Sequence, residues 1–131
     1  MRYLLTIYGD ESGFATATPE DVQQMMAAYG ALGEQMKAAG VILGGEGLQP
    51  SSTATTVKVR DGETIVTDGP FAETREQLGG YYLLECKDLD EAIEWAARIP
   101  GAKSGTIEIR PIMEFNEDGT PKSGAEAPAN A

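Results

Sequence analysis

The sequence predicts a single α+β domain, on three patterns: short β-prone apolar runs, two longer stretches with apolar residues at spacings of three and four, and Gly/Asp/Pro punctuation between them. With 131 residues, 41% of them apolar, the chain can fill one hydrophobic core but hardly two.

Arg2 to Tyr8 is an apolar, β-prone run closed by the polar stretch Gly9 to Gly13, and it reads as a buried strand. Thr18-Pro19-Glu20-Asp21 opens a helix, with Thr18 as N-cap, Pro19 at the first helical position and acid in the first turn. The helix should run to about Ala39 and stop at Gly40. Its apolar stripe is Val22, Met25, Met26, Tyr29, Leu32 and Met36, and the methionines read as gap-filling core. Val41-Ile42-Leu43 is a short strand. The following Gly44-Gly45-Glu46-Gly47 reads as a turn, because it lacks both the Lys-Ser/Thr ending of a phosphate loop and the GxGxxG spelling.

Thr55 to Arg60 and Glu63 to Thr67 alternate in polarity around Asp61-Gly62, the dipeptide that favours a tight type I′ hairpin. Phe71 reads as a core anchor, and Thr74 with Gln77 matches a capping box and predicts one helical turn. Leu78 to Cys86 is a further apolar strand. Asp88-Leu89-Asp90-Glu91 caps a second helix with Leu89, Ala92, Ile93, Ala96 and Ile99 on its inner face, Trp95 at the border, and Pro100-Gly101 at its end. Thr106 to Met113 supplies the last strand. The domain is expected over 1–114, followed by a flexible, acidic Gly/Pro/Ala-rich tail over 115–131.

Without the hairpin, the order is βαββαβ, the ferredoxin-like split βαβ arrangement with two helices on one face of an antiparallel sheet. Strands one and four carry apolar residues on both faces: Tyr3, Leu5 and Ile7 against Leu4 and Tyr8, and Tyr81 and Leu83 against Tyr82 and Leu84. The face that the helices leave bare needs a cover, and a second copy of the chain is the economical one, so the partner expectation is a homodimer.

A net charge of −11 repels phosphate backbones and anionic lipid, which argues against nucleic acid and membrane as partners. No run approaches the roughly 20 apolar residues of a membrane span, and the N-terminus does not read as a signal peptide, so a cytoplasmic location is expected. The single Cys86 forms no internal disulfide. With no histidine in the chain, Ser-His-Asp and Cys-His catalysis and the common zinc sites are excluded, and neither metal nor cofactor is expected.

The string Val66 to Leu83, VTDGPFAETREQLGGYYL, together with Ala92-Ile93-Glu94-Trp95-Ala96 and Ile107 to Ile112, resembles the DGPF-domain branch of the YCII-related family. The resemblance covers Met1 to about Glu114. It implies a dimeric α/β barrel of ferredoxin-like protomers, mostly bacterial, often linked with extracytoplasmic-function sigma factors and carrying no assigned activity. A His-Asp pair attributed to some YCII-like proteins has no counterpart here, since the histidine is missing. Asp68, in its Asp-Gly-Pro-Phe motif, is the carboxylate that the resemblance brings across.

Asp68 is therefore the candidate catalytic acid or base, against the reading that an Asp before Gly-Pro bonds nearby backbone and fixes a turn. Glu73, Arg75, Tyr81, Tyr82 and Arg110 are candidate ligand-binding residues. Arg110 is the natural holder of an anion, with an ion pair to Glu108 as the alternative. Two function classes fit these residues. One is an enzyme or binder of a small molecule, with a cleft near the Asp68 segment or at a dimer seam. The other is a non-catalytic regulatory partner that docks through the DGPF segment.

Overall fold

The computed structural model describes residues 1–122 and shows an α+β domain built on a four-stranded antiparallel sheet. In chain order the elements are β1 (Arg2–Gly9), α1 (Pro19–Ala38), β2 (Ile42–Gly47), β3 (Thr55–Arg60), β4 (Glu63–Asp68), β5 (Gln77–Glu85), α2 (Leu89–Arg98) and β6 (Thr106–Pro111). Short 3-10 segments occupy Glu11–Thr16, Ser51–Thr53 and Pro100–Lys103. The main sheet has the order β2-β5-β1-β6, and β3 and β4 form a separate ribbon. Strand order and antiparallel pairing are consistent with a ferredoxin-like α+β fold.

Register decides which residues meet the helices. Leu5 pairs with Tyr82 on one side and Ile109 on the other, and Tyr3 pairs with Leu84, so these side chains share one face. That face packs with Leu32, Met36, Ala92, Trp95, Ala96 and Ile99 into the core. Leu5, Met36 and Leu84 are fully buried, each worth about 2 kcal/mol in apolar surface removed from water. Leu4, Thr6, Tyr81 and Leu83 alternate to the opposite face and are half-buried.

Helix α1 starts as its sequence dictates. The Thr18 hydroxyl accepts from the Asp21 N–H at 3.1 Å, and the Asp21 carboxylate accepts from the Thr18 N–H at 3.0 Å, a reciprocal capping box. Its apolar stripe, however, divides in two. Leu32 and Met36 are buried, whereas Val22, Met25 and Met26 are 41%, 38% and 69% exposed, and the space beside Met25 is lined by glycines of the sheet. In α2 the buried residues are Ala92, Trp95 and Ala96, while Leu89 and Ile93 face solvent. The large indole fills the core that the sequence stripe gave to Ile93, and the Arg98 guanidinium caps its ring at 4.3 Å.

Three further expectations are corrected. Gly44 to Gly47 belongs to edge strand β2 rather than to a turn, since a strand tolerates glycine when its ladder bonds are made. No helical turn forms at Thr74: its hydroxyl bonds the Glu76 carbonyl, the Gln77 amide returns to the Thr74 carbonyl, and β5 begins at Gln77. Phe71 is 85% exposed and anchors no core. The β3–β4 turn agrees with expectation, with Asp61 at φ 51 and Gly62 at φ 79 as a type I′ hairpin requires.

Part of the expected tail is held in place. Asn116 and Thr120 are joined backbone to backbone at 2.7 Å and Lys122 to Glu114 at 2.8 Å, around Gly119 at φ 85. The Asp-Gly-Thr sequence supplies this turn, with Asp118 accepting from the Thr120 N–H and hydroxyl. The remainder of the expected tail, 123–131, lies outside the described residues. Among the described residues, no helix is long and apolar enough to cross a membrane.

Candidate functional site

A cavity of about 680 Å³ lies between the first half of α1 and the end of the sheet formed by β1, β2 and β5. Its origin is an absence of side chains. At the helix-facing positions of this corner, Gly80 pairs with both Ile7 and Gly47, and Gly45 pairs with Tyr82. A β-carbon on Gly45 would stand 2.8 Å from the Tyr81 carbonyl oxygen, and one on Gly80 would stand 2.9 Å from that of Glu46, so glycine is required at both. Met25 and Tyr29 of α1 bridge the space above them.

The mouth is built by the 3-10 segment Glu11–Thr16. Asp10 caps it, accepting from the Ser12 N–H at 2.9 Å, and hydrogen bonds from Ser12 hold the Asp10 carboxyl below the usual range, with the Arg75 charge adding to the effect. The Glu11 N–H donates to the Gln77 side-chain oxygen at 2.9 Å. The Glu11 carboxylate accepts from the Ser51 N–H and hydroxyl, both at 2.7 Å. This residue ties the end of β1 to the start of β5 and to the segment after β2. Phe14 stands at the opening, exposed.

The walls are mainly apolar, from Ile7, Phe14, Met25, Leu48 and the tyrosine rings. The polar groups are the Asp10 and Glu11 carboxylates, the Gln77 amide, the Ser104 hydroxyl and phenols, while Glu46, paired with Tyr81, lines the cavity from a position whose side chain alternates to the other sheet face. No Lys or Arg is among the lining residues. The Tyr29 hydroxyl accepts from the Gly101 N–H at 3.2 Å. Burial pushes the Tyr29 and Tyr82 phenols up from their ordinary value, and for Tyr82 the neighbouring Tyr29 adds to it.

Of the residues singled out in the sequence, Tyr81 and Tyr82 line this cavity. Tyr82 faces the helices, and Tyr81, next along β5, points to the other sheet face. Asp68, Glu73, Arg75 and Arg110 lie elsewhere. Asp68 ends β4 opposite Thr55, exposed, and among the described residues its carboxylate accepts no hydrogen bond. The turn after it is held instead by the Gly69 N–H to the Ala54 carbonyl at 2.7 Å and by the Thr56 hydroxyl to the Gly69 carbonyl at 2.7 Å. Glu73 and Arg75 are exposed in the segment leading to β5. Arg110 is exposed and ion-paired with Glu108 on the sheet face away from the helices.

Sequence reasoning passed over Glu11 and the glycines of β5, gave Met25 and Tyr29 to the core stripe, and read the glycines of β2 as a turn. The available signal was Gly45-Glu46-Gly47, whose period of two leaves one face of a strand bare. Among the described residues, no group of three or more Cys, Asp, Glu or His is placed to hold a metal ion. Cys86 is buried at the end of β5, and burial together with the Glu91 charge pushes its thiol up to about 11, away from nucleophilic use.

A family model described as the YCII-related domain matches residues 1–116. The chain is also 38% identical, over 117 residues, to an uncharacterized protein of Rhizobium meliloti (strain 1021), with 88% of this chain and 94% of that protein covered.

Proposed function

The chain belongs to the YCII-related domain family, and from that premise we propose that it is a binder or enzyme of a small and largely apolar molecule, working as a homodimer of the dimeric α/β barrel type. The observation that carries this reading is the cavity of about 680 Å³ under α1, within the size range of small-molecule sites and walled mostly by apolar groups with a few polar ones. The homodimer is supported by Leu4, Tyr81 and Leu83 on the sheet face away from both helices.

The cavity replaces the Asp68 segment as the expected place of binding. Gln77 and Gly80 connect the two, since the DGPF segment runs directly into the part of β5 that lines the site. Gly47 provides the test. A β-carbon there meets nothing within 4 Å, so Gly47→Leu fills the cavity without a clash at the backbone. A fragment screen by ligand-detected NMR should return apolar binders to the parent that Gly47→Leu no longer binds. Binding unchanged by that substitution would defeat the reading.

A second reading, a regulatory protein that docks a partner, is favoured by one observation. Phe71 of the DGPF segment is 85% exposed, next to a ribbon that exposes Val57, Val59 and Val66. If docking is the function, Phe71→Ser should abolish partner capture and leave small-molecule binding intact.

A further inference from the structure

We infer that the cavity under α1 selects neutral molecules that carry a hydrogen-bond-accepting oxygen, with the hydroxyls of Tyr29 and Tyr82 as the donors that read it. This inference rests on the small-molecule reading above and specifies its ligand.

The argument begins with where hydroxyl protons can go. Tyr29 accepts from the Gly101 N–H at 3.2 Å, which occupies a lone pair and leaves its O–H to point elsewhere. Gly101 makes that contact possible, because a β-carbon on it would stand 3.0 Å from the Tyr29 oxygen and 3.2 Å from Ile7. Among the described residues, neither the Tyr29 nor the Tyr82 hydroxyl donates to a protein acceptor, and both residues line the cavity. Each phenol therefore keeps a proton free to donate at the wall of the cavity, and among the described residues no buried side-chain oxygen is left without a partner, so water serves these hydroxyls when the cavity holds no ligand. A ligand oxygen that accepts from them exchanges that water for a direct bond in mainly apolar surroundings.

The remaining lining sets the charge. Without Lys or Arg, an anionic ligand would lose its hydration and meet Asp10 and Glu11 instead of a counter-charge. A cation gains little more. The Glu11 carboxylate is already engaged by the Ser51 N–H and hydroxyl, and Asp10 by Ser12. Phenols presenting O–H groups suit an acceptor rather than an ammonium, which has only donors to offer.

Four probes of one size separate these terms: ethylbenzene, acetophenone, benzoate and benzylammonium, titrated into the full chain by NMR, with the amides of Gly47, Gly80 and Gly101 locating the binding. Acetophenone should bind about tenfold tighter than ethylbenzene, the contribution of the hydroxyl donors, and tighter than either charged probe. In the Tyr29→Phe/Tyr82→Phe double variant the ketone preference should fall to within about twofold while ethylbenzene binding persists. Equal binding of ketone and hydrocarbon by the parent overturns the inference and leaves the cavity reading standing. So does a preference for benzoate or benzylammonium, or a ketone preference that survives in the double variant. If none of the four shifts those amides, the cavity reading falls and this inference with it. The parent's ranking of the probes decides the matter even if a Tyr variant does not fold.

Discussion

Glu11 holds Ser51 with both carboxylate oxygens, one taking the backbone N–H and the other the hydroxyl, each at 2.7 Å across 40 residues of chain. One side chain thus fastens the mouth of the cavity to the segment that leaves the edge strand.

Removing that fastening should be felt in stability first. Glu11→Ala loses two charge-assisted bonds at a half-buried position and should cost about 1–2 kcal/mol in urea unfolding. Glu11→Gln keeps one acceptor and should cost about half as much. Equal, negligible losses in both would show that the pair contributes nothing in solution.

Two glycines should respond in opposite ways to the same substitution. A β-carbon at Gly105 would lie 2.1 Å from the Tyr8 carbonyl oxygen, so Gly105→Ala forces the backbone apart and should cost about 3 kcal/mol. At Gly47 the same methyl meets open space, and Gly47→Ala should stay within about 0.5 kcal/mol of the parent. Thermal melts of the two variants side by side read the difference directly.

Alkaline pH should loosen the fold through Cys86. Its thiol is raised from 9.0 to about 11 on folding, chiefly by burial. The unfolded chain therefore releases this proton first, so the contribution is fully present below pH 9 and is lost as pH rises towards 11. The loss should approach about 2–3 kcal/mol. Tyr3, raised by burial from 10.0, adds to it in the same direction at higher pH. Urea midpoints taken at pH 8 and pH 10 should converge in Cys86→Ala, and an unchanged slope in that variant would assign the alkaline loss to other groups.

The open sheet face gives the oligomer prediction. Light scattering after gel filtration should return about twice 13.9 kDa for the parent. Leu83→Lys, on the face away from the helices, should return about 13.9 kDa with the melt preserved. A parent that stays monomeric at micromolar concentration removes the dimer from the proposal.

Asp68 is placed to matter little to folding. Exposed at the end of β4, with its turn held by Gly69, Ala54 and Thr56, it should tolerate Asp68→Ala within about 0.5 kcal/mol. A loss above 1 kcal/mol would mean that its carboxylate holds the turn after all.

What could be read from the sequence was local. Thr18 with Asp21 marks a helix start, Asp61-Gly62 a hairpin and Asp88 a second helix start, because each signal is a hydrogen bond or a dihedral angle confined to a few residues. Thr74 and Gln77 show the limit: the same spelling formed side-chain bonds to nearby carbonyls and no helix, since Gln77 is claimed by the β1–β5 ladder. Trp95 and Ile93 compete for one core, and stripe spacing alone could not tell which would enter. The cavity was hidden for a stronger reason. It exists because Gly45, Gly47 and Gly80 arrive opposite Met25 and Tyr29, and only the strand register brings residues so distant in sequence together.

The divided stripe of α1 carries a consequence for motion. Leu32 and Met36 moor the C-terminal half of the helix to the core, but Met25 overhangs the cavity while Val22 and Met26 are exposed, and together they lend the first turns little protection. Amide hydrogens from Gln23 to Ala27 should accordingly exchange with solvent much faster than those from Gly33 to Lys37, although all belong to one continuous helix. An occupant in the cavity would supply the packing that the glycines withhold and slow the faster group alone. Exchange rates along this single helix would then record whether the chamber is full, residue by residue, before its natural guest is known.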